Sequence, residues 1–473
     1  MTLRDLIEAE QRRAGVPGCA VAVVDNGVVV LAEGFGHRDL DTAKPVTAQT
    51  LFPIGSATKT FTAALLASLA DEGRLDFDVP IREYRPGFAM HDPIATEHMS
   101  LRDCLSHRSG LPRHDVLWQA GDGYLSRGDV IDALAHLPAS KPFRADYQYN
   151  NLLYIAAGEL AAGLAGSAFE EAVATRILQP LGMSRTNFSV ATTQHDDDHA
   201  TPYVCAPGQG RPGQVPFARL DLAGPAGGLN SCADDLVPWL LTLPGHGAGA
   251  RPPLLSAAVL DELRTPAIAL PEDPVGDVTP VGYGLGLMLE DYRGHRISHH
   301  GGNIDGFSCE VLTRDDGIGI AVLCNSHATW LRDSLPYLIL DALDGVASPD
   351  HGSGFRDRLA AKFAAADAAR VLPGGSATSA EPSRPLTDYR GAYRHPAYGE
   401  CIVGRCDGGL TWEYRGLRSA ALLHRQGEQF EIVTTLNGSE ARFAAEFAST
   451  ADVDAMSVHL ETAVPPIRFA RVA

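Results

Sequence analysis

The feature that most constrains the fold is a run dominated by small and apolar residues between positions 57 and 72. Phe61, Leu65 and Leu69 occur there among alanines, and Gly73 follows where a helix would end. A surface helix would be apolar along one stripe only, whereas this run is apolar over much of its circumference. We therefore predict a helix at 57–72 that lies buried at the centre of a domain, with other elements packed around it.

Strand patterns occur on both sides of this helix. Residues 19–24 form an apolar run, residues 25–27 (Asp-Asn-Gly) are typical of a tight turn, and residues 28–32 continue as a second strand. Residues 100–240 show a mainly helical pattern. Further strands are predicted at 283–288, 296–299, 307–313 and 318–325. The order predicts a domain with a sheet formed from both ends of the segment and a helical middle.

A shift in composition divides the chain after this domain. Residues 346–352 and 373–385 are rich in Gly, Ser and Pro, and they flank an Ala-rich helix predicted at 355–370. From residue 387 onward, short strand-like runs alternate with Gly-containing turns, a spacing typical of a small antiparallel barrel or sandwich. We predict a first domain at 1–345, a helix and linker at 346–386, and a β-barrel domain at 387–473.

The net charge of the chain disfavours some classes of binding partner. The net charge is −19 and the pI is about 5.3, so a nucleic acid backbone or an anionic membrane surface would repel it. No apolar run reaches the roughly 18 residues of a membrane span, and residues 1–8 resemble the start of an amphipathic helix rather than a signal peptide. We expect a cytoplasmic protein that binds neither nucleic acid nor membrane, with its oligomeric state left open.

Cysteine and histidine spacing gives no sign of a metal site. The eight cysteines are scattered without a C-x-x-C pair, so they form neither a disulfide framework nor a ligand set. His295, His299 and His300 lie close together, but no carboxylate lies at ligand spacing from them. We therefore expect no metal and no cofactor.

Ser56 and Lys59 lie at the start of the predicted central helix, three positions apart. This spacing places the two side chains on one face, where the helix terminus adds a positive dipole and unpaired N–H groups. An amine with a lowered pKa can take the proton of a serine hydroxyl and make it a nucleophile. We predict that Ser56 is the nucleophile and Lys59 its base; the alternative is a capping serine beside a surface lysine.

A Tyr-x-Asn element, Tyr149-Asn150-Asn151, precedes a helix predicted at 152–164. The phenol of Tyr149 can transfer a proton from the serine to a leaving group. The amide of Asn151 can bind a substrate carbonyl or hold Lys59. The alternative is a loop tyrosine packed on the core beside a capping asparagine.

A His-His-Gly-Gly sequence, 299–302, ends a predicted strand. His299 can polarise the site or donate to an anionic group, and Gly301 and Gly302 allow the backbone to approach the substrate closely. We predict that the N–H of Gly302 pairs with that of Ser56 as an oxyanion hole. The alternative is a polar strand end followed by a glycine turn.

Taken in order, Ser-x-x-Lys, Tyr-x-Asn and His-x-Gly resemble the motifs of the penicillin-binding-protein and class C β-lactamase superfamily. The likeness is closer to its non-lactamase branch of D-aminopeptidases, esterases and related serine hydrolases. Residues 101–112, 180–183 and 224–231 resemble the same superfamily. The resemblance covers residues 5–345 and implies an α/β (α+β) fold, in which a mixed sheet flanked by helices lies beside an all-helical region.

The resemblance also implies roles for the site residues. Ser56 would carry the acyl group, Lys59 and Tyr149 would transfer protons, and Asn151 would bind substrate. His299 would take the place of a lysine, because β-lactamases and transpeptidases have Lys-Thr-Gly where this chain has His-x-Gly. That departure disfavours hydrolysis of β-lactam antibiotics.

Residues 387–473 resemble the lipocalin-like barrel that follows many of these hydrolases. In such relatives the barrel can cover the mouth of the active site. In penicillin-binding-protein-type thioesterases, which cyclise nonribosomal peptides, a barrel arginine can hold a substrate carboxylate. Arg468 or Arg471 is the candidate in this chain, and an ordinary charged strand residue is the alternative.

We therefore predict a serine hydrolase or acyltransferase that forms an acyl-enzyme on Ser56 with a peptide-like substrate. A preference for D-amino acids is expected, as in a D-aminopeptidase or a thioesterase/cyclase of nonribosomal peptides. The alternatives are a carboxylesterase, a β-lactamase and a non-catalytic binding protein. The expected partner is a small molecule or peptide, with carrier-bound peptide thioesters among the candidates. Sequence alone leaves open peptide, ester or thioester as substrate, and hydrolysis or cyclisation as outcome.

Overall fold

An eight-stranded sheet forms the centre of the larger domain in the computed structural model. The structure describes residues 2–121, 123–204, 212–243, 253–346, 351–370, 382–406, 409–419, 422–436, 439–448 and 453–472. The strands of this domain are β1 (Gly18–Asp25), β2 (Val28–Asp39), β3 (Lys44–Pro45), β4 (Phe52–Pro53), β5 (Tyr203–Val204), β6 (Gly213–Gln214), β7 (Asn230–Ser231), β8 (Val278–Tyr283), β9 (Met288–Tyr292), β10 (His295–Ile304), β11 (Phe307–Arg314) and β12 (Ile318–Cys324).

The order of the central sheet is β3-β2-β1-β12-β11-β10-β9-β8. Its pairings are antiparallel, and Cys19 in β1 faces Cys324 in β12. The two ends of the domain's sequence therefore meet in the middle of one sheet. Asn26 and Gly27 connect β1, which ends at Asp25, to β2, at the turn that the sequence predicts.

Helices pack against the sheet, and they also make up most of the elements described between β2 and β8. They are α1 (Leu3–Ala14), α2 (Thr58–Asp71), α3 (Ile81–Tyr84), α4 (Pro93–His98), α5 (Leu101–Leu105), α6 (Asp115–Gln119), α7 (Arg127–Ala133), α8 (Leu152–Ala165), α9 (Phe169–Val173), α10 (Gln179–Leu181), α11 (Val190–His195), α12 (Gly224–Gly227), α13 (Ala233–Thr242), α14 (Ala257–Leu263), α15 (Trp330–Asp344) and α16 (His351–Arg370). Shorter 3-10 turns lie at Gly55–Ala57, Leu134–His136 and Leu386–Tyr389, and a π-helical segment, Ala174–Leu178, joins α9 to α10.

The central helix predicted at 57–72 is α2, and the structure confirms its burial. Phe61, Leu65 and Leu69 have no exposed surface. Phe61 stacks on Trp239 of α13 with ring centroids 4.0 Å apart. Such complete burial of large side chains provides most of the stabilisation of a domain of this size, and it holds the amino-terminal end of α2 in a fixed position.

One strand prediction is wrong. Residues 283–288 were expected to form a strand, but they connect β8, which ends at Tyr283, to β9, which begins at Met288. Gly286 has a φ of +80°, in the left-handed region that favours glycine, and the amide of Gly284 bonds back to the carbonyl of Leu287. The glycines allow the chain to turn within an apolar run that otherwise resembles a strand.

The carboxy-terminal part of the chain forms a closed barrel. Its strands are β13 (Gly391–His395), β14 (Gly399–Cys406), β15 (Gly409–Tyr414), β16 (Leu417–Arg418), β17 (Leu422–Gln426), β18 (Gln429–Leu436), β19 (Ser439–Phe447), β20 (Ala455–Val458) and β21 (Ile467–Arg471). Their order is β14-β13-β21-β20-β19-β18-β17-β15-β16, and a pairing of β14 with β15 closes the ring. The predicted fold class, an α/β (α+β) domain whose sheet is flanked by helices, followed by a small antiparallel barrel, is confirmed.

Large aromatic side chains fill the barrel. Tyr389, Tyr393, Trp412 and Tyr414 are fully buried, as the alternation of inward and outward residues along short strands requires.

Of the predicted linker at 373–385, residues 373–381 lie outside the described residues. Among the described residues no single helix has the length and apolar character of a membrane span. Residues 152–165 and 169–181 have them only as a pair, bent by 71°.

Candidate active site

Ser56 lies in the 3-10 turn that joins β4 to α2. Gly55, just before it, has a φ of +51°, a conformation that favours glycine. A Cβ at Gly55 would also lie 3.2 Å from the backbone nitrogen of Asn303 in β10. The Gly-Ser sequence therefore turns the chain tightly against β10 and places Ser56 at the amino-terminal end of a buried helix, as predicted.

The amine of Lys59 is fully buried and makes three polar contacts. Its Nζ lies 3.2 Å from the Oγ of Ser56, 2.8 Å from the Oδ1 of Asn151 and 2.7 Å from the carbonyl oxygen of Ala226. Amide oxygens only accept hydrogen bonds. In its neutral form, the amine can give its two hydrogens to Asn151 and Ala226, which leaves its lone pair directed at the hydroxyl of Ser56.

The surroundings of Lys59 favour that neutral form. Burial lowers its pKa well below the usual value, the guanidinium of Arg113 lowers it further, and the carboxylate of Asp115 opposes both. Two aromatic rings also flank the amine: those of Tyr149 and Tyr154 have centroids 4.8 and 5.1 Å from Nζ. The amine can therefore accept the proton of Ser56 near neutral pH.

Tyr149 stays protonated when Lys59 is neutral. Burial raises the pKa of its phenol to about 12, although a hydrogen bond to Ser56 and the charge of Arg113 oppose the rise. A phenol of this kind can donate a proton to a leaving group and is a poor base at neutral pH. Tyr149, Asn151, Ser56 and Lys59 are thus brought together as the sequence predicted.

His107 also belongs to the site, although no catalytic motif in the sequence contains it. Its Nδ1 accepts the backbone N–H of Asn150 at 3.1 Å, and its ring centroid lies 4.3 Å from that of Tyr149. Burial lowers its pKa well below the usual value, so the ring is neutral. His107 therefore holds the Tyr149-Asn150-Asn151 segment in place. The only sequence signal was the family resemblance of residues 101–112.

The structure contradicts the prediction that His299 belongs to the site. Side chains alternate along a strand, and His299 points away from Ser56, where its Nδ1 lies 2.8 Å from Glu310 and its Nε2 lies 3.4 Å from Glu290. The next residue, His300, faces the site, with its ring centroid 6.5 Å from that of Tyr149. The His-x-Gly element is therefore His300-Gly301-Gly302, one residue later than expected.

His300 is neutral, and both of its nitrogens are occupied. Nδ1 lies 2.6 Å from the carbonyl oxygen of Gly301, and Nε2 lies 2.9 Å from the hydroxyl of Tyr283. Since the carbonyl can only accept, the proton is on Nδ1, and Nε2 accepts from Tyr283. Burial lowers the pKa of His300 well below its usual value, and any positive charge on Lys59 would lower it further. His300 therefore orients the strand edge without adding a positive charge.

The hydrogen-bonding pattern of β10 decides which amide faces Ser56. A two-residue turn closes the hairpin between Ile304 and Phe307, so this pair exchanges hydrogen bonds. Such pairs alternate along an antiparallel ladder. Gly302 consequently bonds to Cys309 of β11, whereas the N–H of Asn303 points away from β11.

Asn303 therefore replaces Gly302 as the second candidate donor of the oxyanion hole. The pairing of β9 with β10 ends at His299, so no described strand pairs with this edge of β10 beyond it. The nitrogen of Asn303 lies on this edge beside Gly55, and the N–H of Ser56 is among the first unpaired amides of its helix. Gly302 has a steric role, because a Cβ there would overlap the carbonyl oxygen of Ile54.

A second group of side chains borders the site and links it to the barrel. Asp115 accepts from the Nδ2 of Asn151 at 3.2 Å, from the Nε1 of Trp118 at 2.7 Å and from the Nε of Arg113 at 2.5 Å. The guanidinium carbon of Arg113 lies 4.9 Å from the ring centroid of Tyr149. Arg113, Asp115 and Trp118 belong to no motif that the sequence reveals; they follow shortly after the 101–112 stretch.

The structure does not bring Arg468 to Ser56. Arg468 alternates with the buried Ile467 and Phe469, its side chain is 63% exposed, and its described ion pair is with Asp454 at 3.7 Å. The alternative, Arg471, donates to backbone carbonyls within the barrel, those of Asp388, Arg390 and Val453. Other barrel side chains reach the segment beside the site: Glu461 and Tyr398 hydrogen-bond to His114, and Arg415 hydrogen-bonds to the carbonyl of Leu117.

One cluster among the described residues has the geometry for a cation. His295, Asp315 and Asp316 offer ligand atoms within 4.8 Å of one another. They lie at the start of β10 and the end of β11, at the end of the sheet opposite to Gly302, and the two aspartates are exposed. The cluster is separate from Ser56 and adds nothing to its chemistry.

Comparison with known proteins agrees with this geometry. The chain is 30% identical to the unguisins hydrolase of Aspergillus violaceofuscus over 92% of its own length and 82% of that protein. It resembles the structure of a D-amino acid amidase from Ochrobactrum anthropi, with a TM-score of 0.59, 25% identity, and coverage of 73% of this chain and 99% of that one. The octameric penicillin-binding protein homologue from Pyrococcus abyssi shares the fold, with a TM-score of 0.62, 21% identity and 99% coverage of both chains.

Family models divide the chain into two parts. Residues 376–471 match a domain of unknown function, DUF3471, which corresponds to the barrel. Residues 3–344 match the β-lactamase family, and that match spans the eight-stranded sheet, helices α1 to α15 and the residues described around Ser56. The chain therefore belongs to the β-lactamase family of serine hydrolases.

Proposed function

We propose that the protein hydrolyses the amide bond of peptide-like substrates at a D-amino acid residue, through a covalent acyl-enzyme on Ser56. The observation that carries this proposal is the set of contacts made by Lys59. Two acceptors, on Asn151 and Ala226, take the hydrogens of a neutral amine, and the lone pair is left for Ser56. This arrangement prepares a serine for nucleophilic attack.

In the first half of the reaction, Lys59 accepts the proton of Ser56 while Oγ attacks the scissile carbonyl carbon. The carbonyl oxygen becomes an oxyanion that the amides of Ser56 and Asn303 stabilise. Collapse of the intermediate breaks the C–N bond, and Tyr149 donates the proton that the leaving amine needs. The proton held by Lys59 then returns to the phenol, which leaves a neutral amine and an ester on Ser56.

In the second half, water replaces the amine. Lys59 accepts a proton from the water, whose oxygen attacks the ester carbon, and the bond to Oγ breaks. The proton returns to Oγ, which regenerates Ser56 and releases a carboxylic acid. An internal amine of the substrate could attack in place of water and would release a cyclic peptide, so the products distinguish hydrolysis from cyclisation.

The preference for D-residues rests on similarity. The relative that supports it is the D-amino acid amidase, whose name specifies the amide of a D-amino acid, and the unguisins hydrolase supports hydrolysis in general. The structure of the amidase aligns with 73% of this chain, and the sequence of the fungal relative aligns with 92% of it. Together with the absence of Lys-Thr-Gly at 300–302, this supports a peptide substrate over a β-lactam.

The test compares D- and L-aminoacyl p-nitroanilides and a linear peptide with an internal D-residue, with products identified by mass. We expect faster turnover of the D-isomers, an acyl adduct on Ser56, and a fall in kcat of at least about 10⁴-fold in Ser56→Ala. Ser68→Ala, on the outer part of the same helix, is the matched control. Turnover in Ser56→Ala equal to wild type would exclude this mechanism, and equal rates on both isomers would exclude the stereochemical preference.

A further inference from the structure

Arg113 is held beside the nucleophile with most of its hydrogen-bonding capacity unused. Its Nε donates to the Oδ2 of Asp115 at 2.5 Å, and its guanidinium stacks 4.9 Å from the ring centroid of Tyr149. Among the described residues, no acceptor bonds its terminal nitrogens, and the side chain is 51% exposed. The outer edge of the guanidinium, with two parallel N–H donors, is therefore open to the space in front of Tyr149.

The backbone that carries Arg113 is fixed from the barrel side. His114 has a φ of +46°, a left-handed conformation that is costly for a residue other than glycine. Its N–H donates to Glu461 at 2.8 Å, and its Nδ1 lies 2.8 Å from the hydroxyl of Tyr398. Both partners belong to the barrel, so contact between the domains holds the segment 113–115 in a shape that it would not adopt alone.

The charge of Asp115 does not cancel the binding capacity of Arg113. Three donors, from Arg113, Trp118 and Asn151, already surround this carboxylate, and it occupies only the Nε side of the guanidinium. The other nearby rings, His107 and His300, are neutral, as shown above. An incoming anion at the outer edge of Arg113 would therefore meet a directed pair of donors, and among the described residues Arg113 is the one guanidinium that stacks on Tyr149.

We propose that Arg113 forms a carboxylate-binding subsite that adjoins the scissile bond of the substrate. Two parallel N–H groups match the two oxygens of a carboxylate, and such bidentate pairs are stronger and more directional than neutral hydrogen bonds. The subsite lies next to the bond to be broken, because Arg113 covers the tyrosine whose hydroxyl hydrogen-bonds to Ser56. The substrate thus carries its carboxylate on a residue that flanks this bond.

This inference rests on the proposed function for the identity of the substrate, but its test does not need turnover. The carboxylate could be the free carboxyl end of a peptide or the side chain of an acidic residue. Two matched ligand pairs separate these sources: N-acetyl-D-Ala-D-Ala with its carboxamide, and N-acetyl-D-Glu-D-Ala amide with N-acetyl-D-Gln-D-Ala amide. Each pair differs only in one negative charge.

Binding is measured by calorimetry with the inactive Ser56→Ala variant, which cannot consume the ligands. We expect the acid of one pair to bind at least about tenfold more tightly than its neutral partner, as a charged, bidentate hydrogen-bonded contact gives. Arg113→Gln in the same background should remove this ratio, and Arg113→Lys should keep part of it. Arg12→Gln, an exposed arginine on α1, is the matched control, and thermal unfolding checks that each variant is folded.

Three outcomes would overturn the subsite: no binding by either acid, equal binding of acid and neutral partner in both pairs, or an acid preference that survives Arg113→Gln. If Arg113 acted only by lowering the pKa of Lys59, its removal would reduce turnover of charged and neutral substrates by the same factor and leave the binding ratios unchanged. Failure of the proposed function would appear separately, as turnover that persists in Ser56→Ala.

Discussion

The two faces of β10 carry neighbouring histidines in opposite charge states. Both side chains are buried, and burial alone lowers the pKa of each. On the face toward Ser56, His300 has no carboxylate partner among the described residues, and its pKa is well below the usual value. On the other face, the carboxylates of Glu290 and Glu310 overcome the effect of burial and raise the pKa of His299 to about 10. The partners, rather than the depth of burial, decide the sign of the shift.

This difference suits the two roles of β10, which borders the nucleophile on one face and packs against α15 on the other. A carboxylate pair on the site face would raise the pKa of Lys59 and keep its amine protonated, which would remove the base. On the far face, His299, Glu290 and Glu310 form the His299 cluster. Two residues of α15 extend it: the hydroxyl of Tyr337 bonds to Glu290, and Arg332 lies 3.9 Å from Glu310. Charged groups therefore join the far face of β10 to α15, while its site face presents the neutral ring of His300 toward the nucleophile.

The largest effect that would test this comparison is expected from the two glycines of β10. In Gly302→Ala, the new methyl group would overlap the backbone of Ile54, which cannot move without displacing the Ser56 turn. We expect kcat/KM on the D-aminoacyl p-nitroanilide to fall by about 10²- to 10³-fold, since small displacements of reacting groups are that costly.

Gly301→Ala is the matched control on the far face. Its methyl group would meet only the ends of the Arg332 and Glu310 side chains, which can shift. We expect its kcat/KM to stay within about tenfold of wild type. A larger loss in Gly301→Ala than in Gly302→Ala would show that the assignment of the two faces is wrong.

The next effect is on stability and concerns the far face. His299→Gln leaves the buried carboxylates of Glu290 and Glu310 without their shared cation. Breaking a buried ion pair by removal of one partner costs about 3 kcal/mol or more in free energy of unfolding. Urea denaturation monitored by circular dichroism measures this loss, with the exposed His98→Gln as control. A change in unfolding free energy no larger than that of the control would show that the cluster is not an ion-paired anchor.

The fold could be predicted further than the site, for a physical reason. Periodicity and turn residues identified the hairpin of β1 and β2, the helix α2 and the barrel, because burial acts on patterns within one segment. The 283–288 segment failed because its glycines turn an apolar run that has the composition of a strand. Residues 57–72 predicted the centre of the domain correctly, because a helix that is apolar on all sides has to be buried.

The site was only partly predictable, because its geometry depends on facts that one segment does not contain. Alternation shows that His299 and His300 point to opposite faces, but which face meets α2 is set by packing of distant elements. The same holds for the Asn303 amide, whose direction follows from the hairpin register. Arg113 and Asp115 gave no local signal at all, since their role arises from contact with Tyr149, Asn151 and the barrel.

A smaller effect on activity is expected for the histidine that faces the site. In His300→Gln, the amide cannot reproduce both the donation to the carbonyl of Gly301 and the acceptance from Tyr283 at the spacing of an imidazole ring. The edge of β10 next to Asn303 should loosen, and kcat should fall by about tenfold with little change in KM. Steady-state kinetics check this, and kcat equal to that of His98→Gln would contradict a positioning role for His300.

The smallest effect is a dependence of stability on pH. The folded-state pKa of His299 is raised from 6.5 to about 10, so the stabilisation it provides is fully present below pH 6.5 and is lost as the pH rises toward 10. The difference in unfolding free energy between wild type and His299→Gln should therefore be largest near pH 6 and shrink by pH 9. Comparing the two proteins removes the contributions of Lys59 and His300, whose lowered pKa values act in the opposite direction and are common to both. A difference that stays constant from pH 6 to 9 would contradict the raised pKa of His299 and, with it, the contrast between the two faces of the strand.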